Sequence, residues 1–337
     1  MNESRKTIWI ARLPGIVLAL SVAIVATIIG RSIPVIGAPV ICIVIGVVIA
    51  AIRKPGEKFR PGIVTSSKLI LQISVVVLGS QLSLKEIVKV GFSSLPVMLG
   101  SLTVCLAGAY WIGKWLGIVG DLRTLIGVGT SICGASAIAA VTPIIGAASV
   151  DVAYAISTIF LFNMTAVLTF PFLGHLLGLS QHSFGLFAGT AVNDMSSVVA
   201  ASTTYGSVAA NYAIVVKLTR TMLIIPISLG LATLERRKHN AGGSKPSVHV
   251  ARLVPWYLIG FLLVASANSV GLIPNGIHHD LVQISIFLIS VALAAIGLST
   301  DIGGFRRTGP RPLLLGGILW VLVSTTSLLL QYLTHTL

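Results

Sequence analysis

One acid and two bases fall in the middle of long apolar runs: Asp194, next to Asn193, and Lys217 and Arg220 within Ala213-Ile-Val-Val-Lys-Leu-Thr-Arg220. An ionised side chain at mid-bilayer costs on the order of 3 kcal/mol even on lenient insertion scales, so each needs a partner, water or a function. Lys217 and Arg220, at i and i+3, share one side of a helix. One acid against two bases leaves a formal surplus of +1, which a bound anion would neutralise. A structural reading stands beside it: Asp194 ion-paired with Lys217 or Arg220 would hold two helices in register. Asn163 adds an uncharged polar group near the centre of another apolar run.

The acid belongs to an internal repeat. Gly129-Thr130-Ser131-Ile132-Cys133-Gly134-Ala135-Ser136-Ala137-Ile138-Ala139-Ala140 recurs 60 positions on as Gly189-Thr190-Ala191-Val192-Asn193-Asp194-Met195-Ser196-Ser197-Val198-Val199-Ala200. Gly146 then falls on Gly206, Asp151 on Asn211 and Ala153 on Ala213. A Gly-Thr pair and several small hydroxyl residues interrupt each apolar stretch. Small residues let membrane helices pack closely. They also suit discontinuous helices, whose free half-helix amides line a cavity and hold a ligand. On this second reading positive helix ends at Gly129 and Gly189 assist Lys217 and Arg220 in attracting an anion. A shorter echo links Leu78–Ile87 with Ile296–Ile302.

The elements that position these residues follow from composition. Of 337 residues, 55% are hydrophobic and 9% charged, and mean hydropathy is +0.98, a balance that excludes a soluble domain. A spanning helix needs roughly 20 apolar residues. Eleven segments meet that test: about 13–30, 35–52, 62–80, 92–113, 124–145, 150–175, 183–205, 211–234, 253–272, 281–299 and 312–333. The apolar runs are continuous and lack the alternation of a membrane barrel. The expectation is an all-α integral membrane protein of about 11 transmembrane helices forming one polytopic transporter domain, residues 1–337. Segments 124–145 and 183–205 are the candidate discontinuous helices. The loop at 235–252, with Arg236, Arg237, Lys238, Gly242, Gly243 and Pro246, reads as a flexible connector.

The net charge of +14 could suggest nucleic acid, but its distribution points to topology. With the amino terminus cytoplasmic, 17 basic residues fall inside and only Arg31, Lys85 and Lys89 outside, as the positive-inside rule requires. The carboxyl terminus is then outside, in an inner (plasma) membrane, and no nucleic-acid partner is expected. The basic amino terminus followed by an apolar run has the outline of a signal peptide, yet no small-x-small cleavage site follows, and an uncleaved first helix is expected.

Cys42, Cys105 and Cys133 are odd in number and widely spaced, which supports neither a disulfide framework nor a zinc site. They suit packing, with Cys133 set apart by its place in the repeat. Lys68, near a span end, snorkels, and Asp121 and Asp151 sit where caps or solvent suffice. His175, His182, His278 and His279 fall in loops with no metal-ligand spacing, and no metal or cofactor is expected. No Gly-x4-Gly-Lys-Ser/Thr loop, His-Glu-x-x-His helix or span pairing Ser or Cys with His is present, which argues against ATP-driven or hydrolytic chemistry.

At these residues the chain resembles the YeiH-type sulfate-exporter family of bacterial membrane proteins. The resemblance runs from Leu13-Pro14-Gly15 to the last span and is most specific at Gly129–Ala140, at Gly189–Val192 with Asp194 and Val198–Ala201, and at Val216-Lys-Leu-Thr-Arg220. It implies likeness to the bile acid/sodium symporters and sodium/proton antiporters, whose sites lie beside crossed, discontinuous helices. This chain has Asn193-Asp194 where the family commonly has His-Asp, and Ser197 where it has Gln. Asn193 cannot carry a proton, so any proton coupling falls to Asp194.

The function expected is a secondary transporter exporting a small anion, with sulfate or a sulfonate implied by the resemblance. Lys217 and Arg220 attract the anion; Gly129, Thr130, Ser131, Cys133, Ser136, Gly189, Thr190 and Asn193 orient it. Asp194 balances charge or carries a coupling proton or sodium. Alternating access comes from one helix bundle rocking against another. The alternatives are a cation/proton antiporter using Asp194, with Lys217 as displaced counter-charge, and a membrane scaffold that transports nothing.

Overall fold

The computed structural model describes residues 2–32, 37–118, 120–238, 254–300 and 309–337. Every regular element among them is a helix, because only a helix bonds each backbone group within its own apolar segment. In chain order these are α1 (Asn2–Ser32), α2 (Gly37–Ile52), α3 (Arg60–Gln81, with a π turn at Ser66–Ile70) and α4 (Leu84–Trp115). Then come α5 (Asp121–Ser131), α6 (Ala135–Ile145), α7 (Ser149–Leu176), α8 (Gln181–Ala191) and α9 (Met195–Tyr205). The last are α10 (Ser207–Met222), α11 (Ile224–Lys238), α12 (Trp256–Ser269), α13 (Asn275–Leu298) and α14 (Pro310–Leu333). Among the described residues seven helical stretches are long and apolar enough to cross a membrane, and shorter apolar helices accompany them. This is an all-α multi-pass membrane protein. Most of the connector expected at 235–252, with Lys245 and Arg252, and also Asp301, Ile302, Arg306 and Arg307, lies outside the described residues.

The chain forms two compact units. The first takes Met1–Ile87, Val199–Gly206 and Trp256–Ile302. Its helices meet through glycine: a Cβ on Gly15 of α1 would fall 2.7 Å from the Cα of Gly62 in α3, and one on Gly46 of α2 would fall 2.9 Å from the Cα of Gly297 in α13. Backbones approach so closely only where side chains are missing, the usual packing device of helices in lipid.

The second unit takes Val88–Val198, Ser207–Pro255 and Gly303–Leu337 and holds the first copy of the repeat and the second as far as Val198. The copies share their boundaries at the 60-residue offset: α5–α6–α7 begins at Asp121, breaks after Ser131 and resumes at Ala135, while α8–α9–α10 begins at Gln181, breaks after Ala191 and resumes at Met195. The composition of these stretches predicts discontinuity, and the breaks are there. Their path differs from a straight crossing, because each stretch doubles back.

In the first copy a Cβ on Gly129 would fall 3.0 Å from Ile138 Cδ1, although nine residues of unbroken helix would span about 13.5 Å. Helix α6 therefore returns alongside α5. In the second copy α8 and α10 run parallel: Gly185 packs on Ala209 and Tyr212, and Gly189, one turn on, packs on Ala213 and Val216. Gln181 Oε1, at the start of α8, accepts from the backbone N–H of Val208 at 3.1 Å, at the start of α10. With both starts side by side, α9 leads the chain back to the level from which α8 set out. Segments 124–145 and 183–205 are thus helical hairpins.

The hairpins enter from opposite directions. Helix α14 runs parallel to α7: Gly316 packs on Thr158 and Phe162, and Trp320, one turn on, stacks with Phe162 and Phe170 at 5.7 and 5.3 Å. It runs antiparallel to α8, since Thr190 meets Ser327 at 2.6 Å and Ser183 meets Thr336 O at 3.1 Å. Helix α4 is antiparallel both to α14, through Gly100–Leu330 and Gly108–Leu322, and to α5, through Gly113–Arg123 and Gly127–Ala109. So α5 points with α14 and α8 against it. The 60-residue repeat is an inverted one.

Candidate functional site at the hairpin tips

The two tips meet. Gly134, from which α6 starts, has φ +67°; a Cβ there would fall 3.3 Å from Asp194 Cβ and 3.7 Å from the carbonyl carbon of Asn193. Each tip breaks a helix inside the apolar zone and leaves carbonyls without partners at the end of the first arm and amides without partners at the start of the second. The partial charges there are negative at the ends of α5 and α8 and positive at the starts of α6 and α9.

The negative ends are held by the two buried cations, which α10 presents from one face. Lys217 Nζ donates to Ile132 O at 2.8 Å and to Val192 O at 2.9 Å, one carbonyl from each tip. Arg220 does the same over a wider span: Nε donates to Ser131 O at 2.8 Å, Nη2 to Thr130 O at 3.4 Å and Nη1 to Thr190 O. Both side chains have no exposed surface. The i, i+3 spacing lets one helix face staple both hairpins.

Asp194 is the N-cap of α9. Its carboxylate accepts from Ser196 Oγ at 2.5 Å, Ser197 N at 2.9 Å and Ser197 Oγ at 2.7 Å, which satisfies the positive end of that half-helix. Among the described residues it makes no ion pair with Lys217 or Arg220. The buried ion-pair network weighed from the sequence is replaced by an arrangement in which each charge serves a helix end.

The start of α6 is left over. Its N-cap position falls on Gly134, the residue that the 60-residue offset aligns with Asp194, and glycine has no side chain with which to cap. Ala135 and Ser136, the first two residues of α6, are exposed. Three of the four broken ends are therefore matched by side chains of this protein, and the open one is positive.

Other expected residues take supporting places. The positive ends expected at Gly129 and Gly189 lie instead at Ala135 and Met195, because the helices continue through both glycines and break further on. Gly129 packs against Ile138 and Ile159, and Gly189 against Val216. Thr190 Oγ1 bonds Leu186 O at 2.6 Å and meets Ser327 Oγ; Ser131 Oγ bonds Val128 O at 3.2 Å. Thr130, Cys133 and Asn193 are buried at the tips. Sequence reasoning assigned no role to Asn163, whose Oδ1 accepts the backbone N–H of Asn193 at 3.0 Å and fixes the second tip. Its mid-span polarity was the available signal. Cys42, Cys105 and Cys133 are free and buried, and no metal-ligating cluster occurs among the described residues.

These features define a multi-pass membrane protein with paired helix breaks in an inverted repeat. The family model "Conserved hypothetical protein 698" matches residues 14–316. A UPF0324 membrane protein of Streptococcus pyogenes serotype M6 is 42% identical over 327 residues, covering 95% of this chain and 96% of the relative. Similar proteins from Streptococcus mutans, 40% identical over 332 residues with 96% and 97% covered, and Fusobacterium nucleatum, 39% over 340 residues with 95% and 97% covered, bear the same description. The chain belongs to this family, the YeiH family.

Proposed function

We propose that this protein is a secondary transporter of a small anion, exporting a sulfate- or sulfonate-like solute across the inner membrane with its amino terminus in the cytoplasm and its spans forming one transporter. Irregular backbone at membrane depth is tolerated only where protein buries it or where it lines an aqueous path. Paired half-helices in inverted repeats are what secondary transporters use at their binding sites. The observation that carries the reading is the unmatched positive end at Gly134-Ala135-Ser136, next to a formal surplus of one positive charge from Lys217, Arg220 and Asp194. An oxyanion bound by the free amides and hydroxyl of that turn completes the charge balance. A cation reading is less well served, since the Asp194 carboxylate already accepts three hydrogen bonds from its own turn.

The test is Ser136→Asp. A carboxylate in the first turn of α6 caps that end and favours the helix by about 0.3–1 kcal/mol, so the variant keeps its fold. Anion flux into proteoliposomes is expected to fall to background. Undiminished anion flux, or cation flux that persists while no anion moves, overturns the proposal.

A further inference from the structure

We infer that the place where α4 ends and α5 and α14 begin binds the headgroup of an anionic phospholipid, its phosphate held by Lys114, Arg123 and Arg311. The inference is independent of the transport reading. Helix α4 runs antiparallel to α5 and α14, so its last turn lies level with their starts. Each helix end brings one base: Lys114 in the last turn of α4, Arg123 in the first turn of α5 and Arg311 at the start of α14. Arg123 crosses the end of α4 at Gly113, where a Cβ would fall 2.6 Å from its Cδ, and its guanidinium lies 4.7 Å from the centre of the Tyr110 ring. Arg311 Nη1 comes within 3.8 Å of a Cβ placed on Gly117. Lys114, between those two glycines in sequence, is exposed.

The three cations are not consumed by the chain. The end of α4 closes itself: Gly117, at φ +69°, donates its N–H to Lys114 O at 3.1 Å, and Ile118 donates to Gly113 O at 2.8 Å. This pattern satisfies the last carbonyls without a cation. Among the described residues no ion pair joins Lys114, Arg123 or Arg311 to an acid. Asp121, the nearest acid in sequence, stands in the first turn of α5, where the positive helix end suits it. Trp111 and Trp115, four residues apart on one face of α4, are 67% and 80% exposed. Exposed tryptophans of membrane proteins sit at headgroup level, so they place the three cations at the depth of lipid phosphates. An anionic phospholipid matches both features, its phosphate the bases and its glycerol and upper acyl chain the tryptophan face. A soluble oxyanion would use only the first. On the proposed topology this is the cytoplasmic leaflet, where basic pockets between spans hold anionic headgroups.

Binding of phosphatidylglycerol and of phosphatidylcholine to the detergent-purified full-length protein is to be measured by native mass spectrometry. Each basic residue near an anionic headgroup contributes about fivefold in affinity. The first phosphatidylglycerol is expected to bind about tenfold or more tighter than phosphatidylcholine. The double variant Lys114→Gln/Arg311→Gln alters two exposed side chains and leaves the packed Arg123 in place, so it keeps the fold. It should weaken phosphatidylglycerol at least about tenfold, and Arg123→Gln about fivefold, with phosphatidylcholine unchanged. Arg53→Gln/Lys58→Gln removes the same charge from another exposed basic stretch and should change affinity by less than about threefold. Equal binding of the two lipids would overturn the proposal. So would a loss in the Arg53→Gln/Lys58→Gln control as large as in Lys114→Gln/Arg311→Gln, since attraction would then be spread over the whole basic face. Displacement of the lipid by inorganic phosphate at equal concentration would overturn the lipid as occupant.

Discussion

Replacing Lys217 by Met keeps the length and apolar bulk of the side chain but removes its ammonium group. Two carbonyls then lose their donor, Ile132 O and Val192 O, now met at 2.8 and 2.9 Å. Neither can turn to water, because Lys217 is fully buried and Ile132 and Val192 have no exposed surface. Hydrogen bonds from a charged donor contribute about 1.5–3 kcal/mol each, so the pair is worth roughly 3–6 kcal/mol, a large part of the about 5–15 kcal/mol that holds a typical protein folded. Against this stands relief from keeping a charge in a dry interior. The relief is small here, because the charge faces the negative ends of two helices. Lys217→Met is expected to lose at least about 3 kcal/mol in denaturant unfolding of the detergent-purified protein, with the loss appearing without any added solute. An unchanged unfolding midpoint would refute the view that Lys217 is a staple. A variant that folds as well as the original but no longer binds anions would return Lys217 to direct contact with the solute.

Three further outcomes are expected. Single cysteines at Lys114 and Ala148, in a background with Cys42, Cys105 and Cys133 replaced, should react with a membrane-impermeant thiol reagent from one side, and cysteines at Leu177 and Ser207 from the opposite side. A split within either pair would mean that 124–145 or 183–205 crosses the membrane. Asn163→Leu leaves the Asn193 N–H unpaired and should cost about 1–3 kcal/mol in the same unfolding assay, whereas a loss under about 0.5 kcal/mol would deny Asn163 its place as anchor of the second tip. Asp194→Asn keeps a good N-cap while raising the local surplus from +1 to +2, so anion binding should be retained or tightened; a cation flux that is lost in this variant with the fold intact would favour the cation antiporter.

Much of this was legible in the sequence, and for physical reasons. Composition fixed the solvent, and lipid leaves helices as the only open structure that satisfies its own backbone. The Gly-Thr stretches marked the breaks, because glycine and small hydroxyl residues are poor helix formers that pack closely. The doubling back was not legible. A straight crossing and a re-entrant hairpin can have the same length and composition, and the difference lies in contacts such as Gly129 with Ile138. Nor could charge reveal it. Turning two crossings, with one span between them, into hairpins moves only the short connections around Gly146 and Gly178 to the other side, and these hold no Lys or Arg. The positive-inside count is the same on either path.

The partners of the charged residues were not legible in the sequence for a related reason. Cost arguments show that a buried charge needs a counterpart, and side chains are the counterparts a sequence displays. Broken helices supply others: the ends of α5 and α8 are as good a partner for Lys217 and Arg220 as a carboxylate, and the start of α9 is as good for Asp194 as a base. Once those ends are counted, the surplus of +1 acquires a position. The repeat sets Gly134 where Asp194 stands in the other copy, so one hairpin carries its own anion as an N-cap and the other leaves the equivalent place vacant. Two copies of one device, capped alike, would form a charge-balanced pair of hairpins; glycine standing where the other copy has aspartate leaves one positive end open, and that end is where the proposed anion binds.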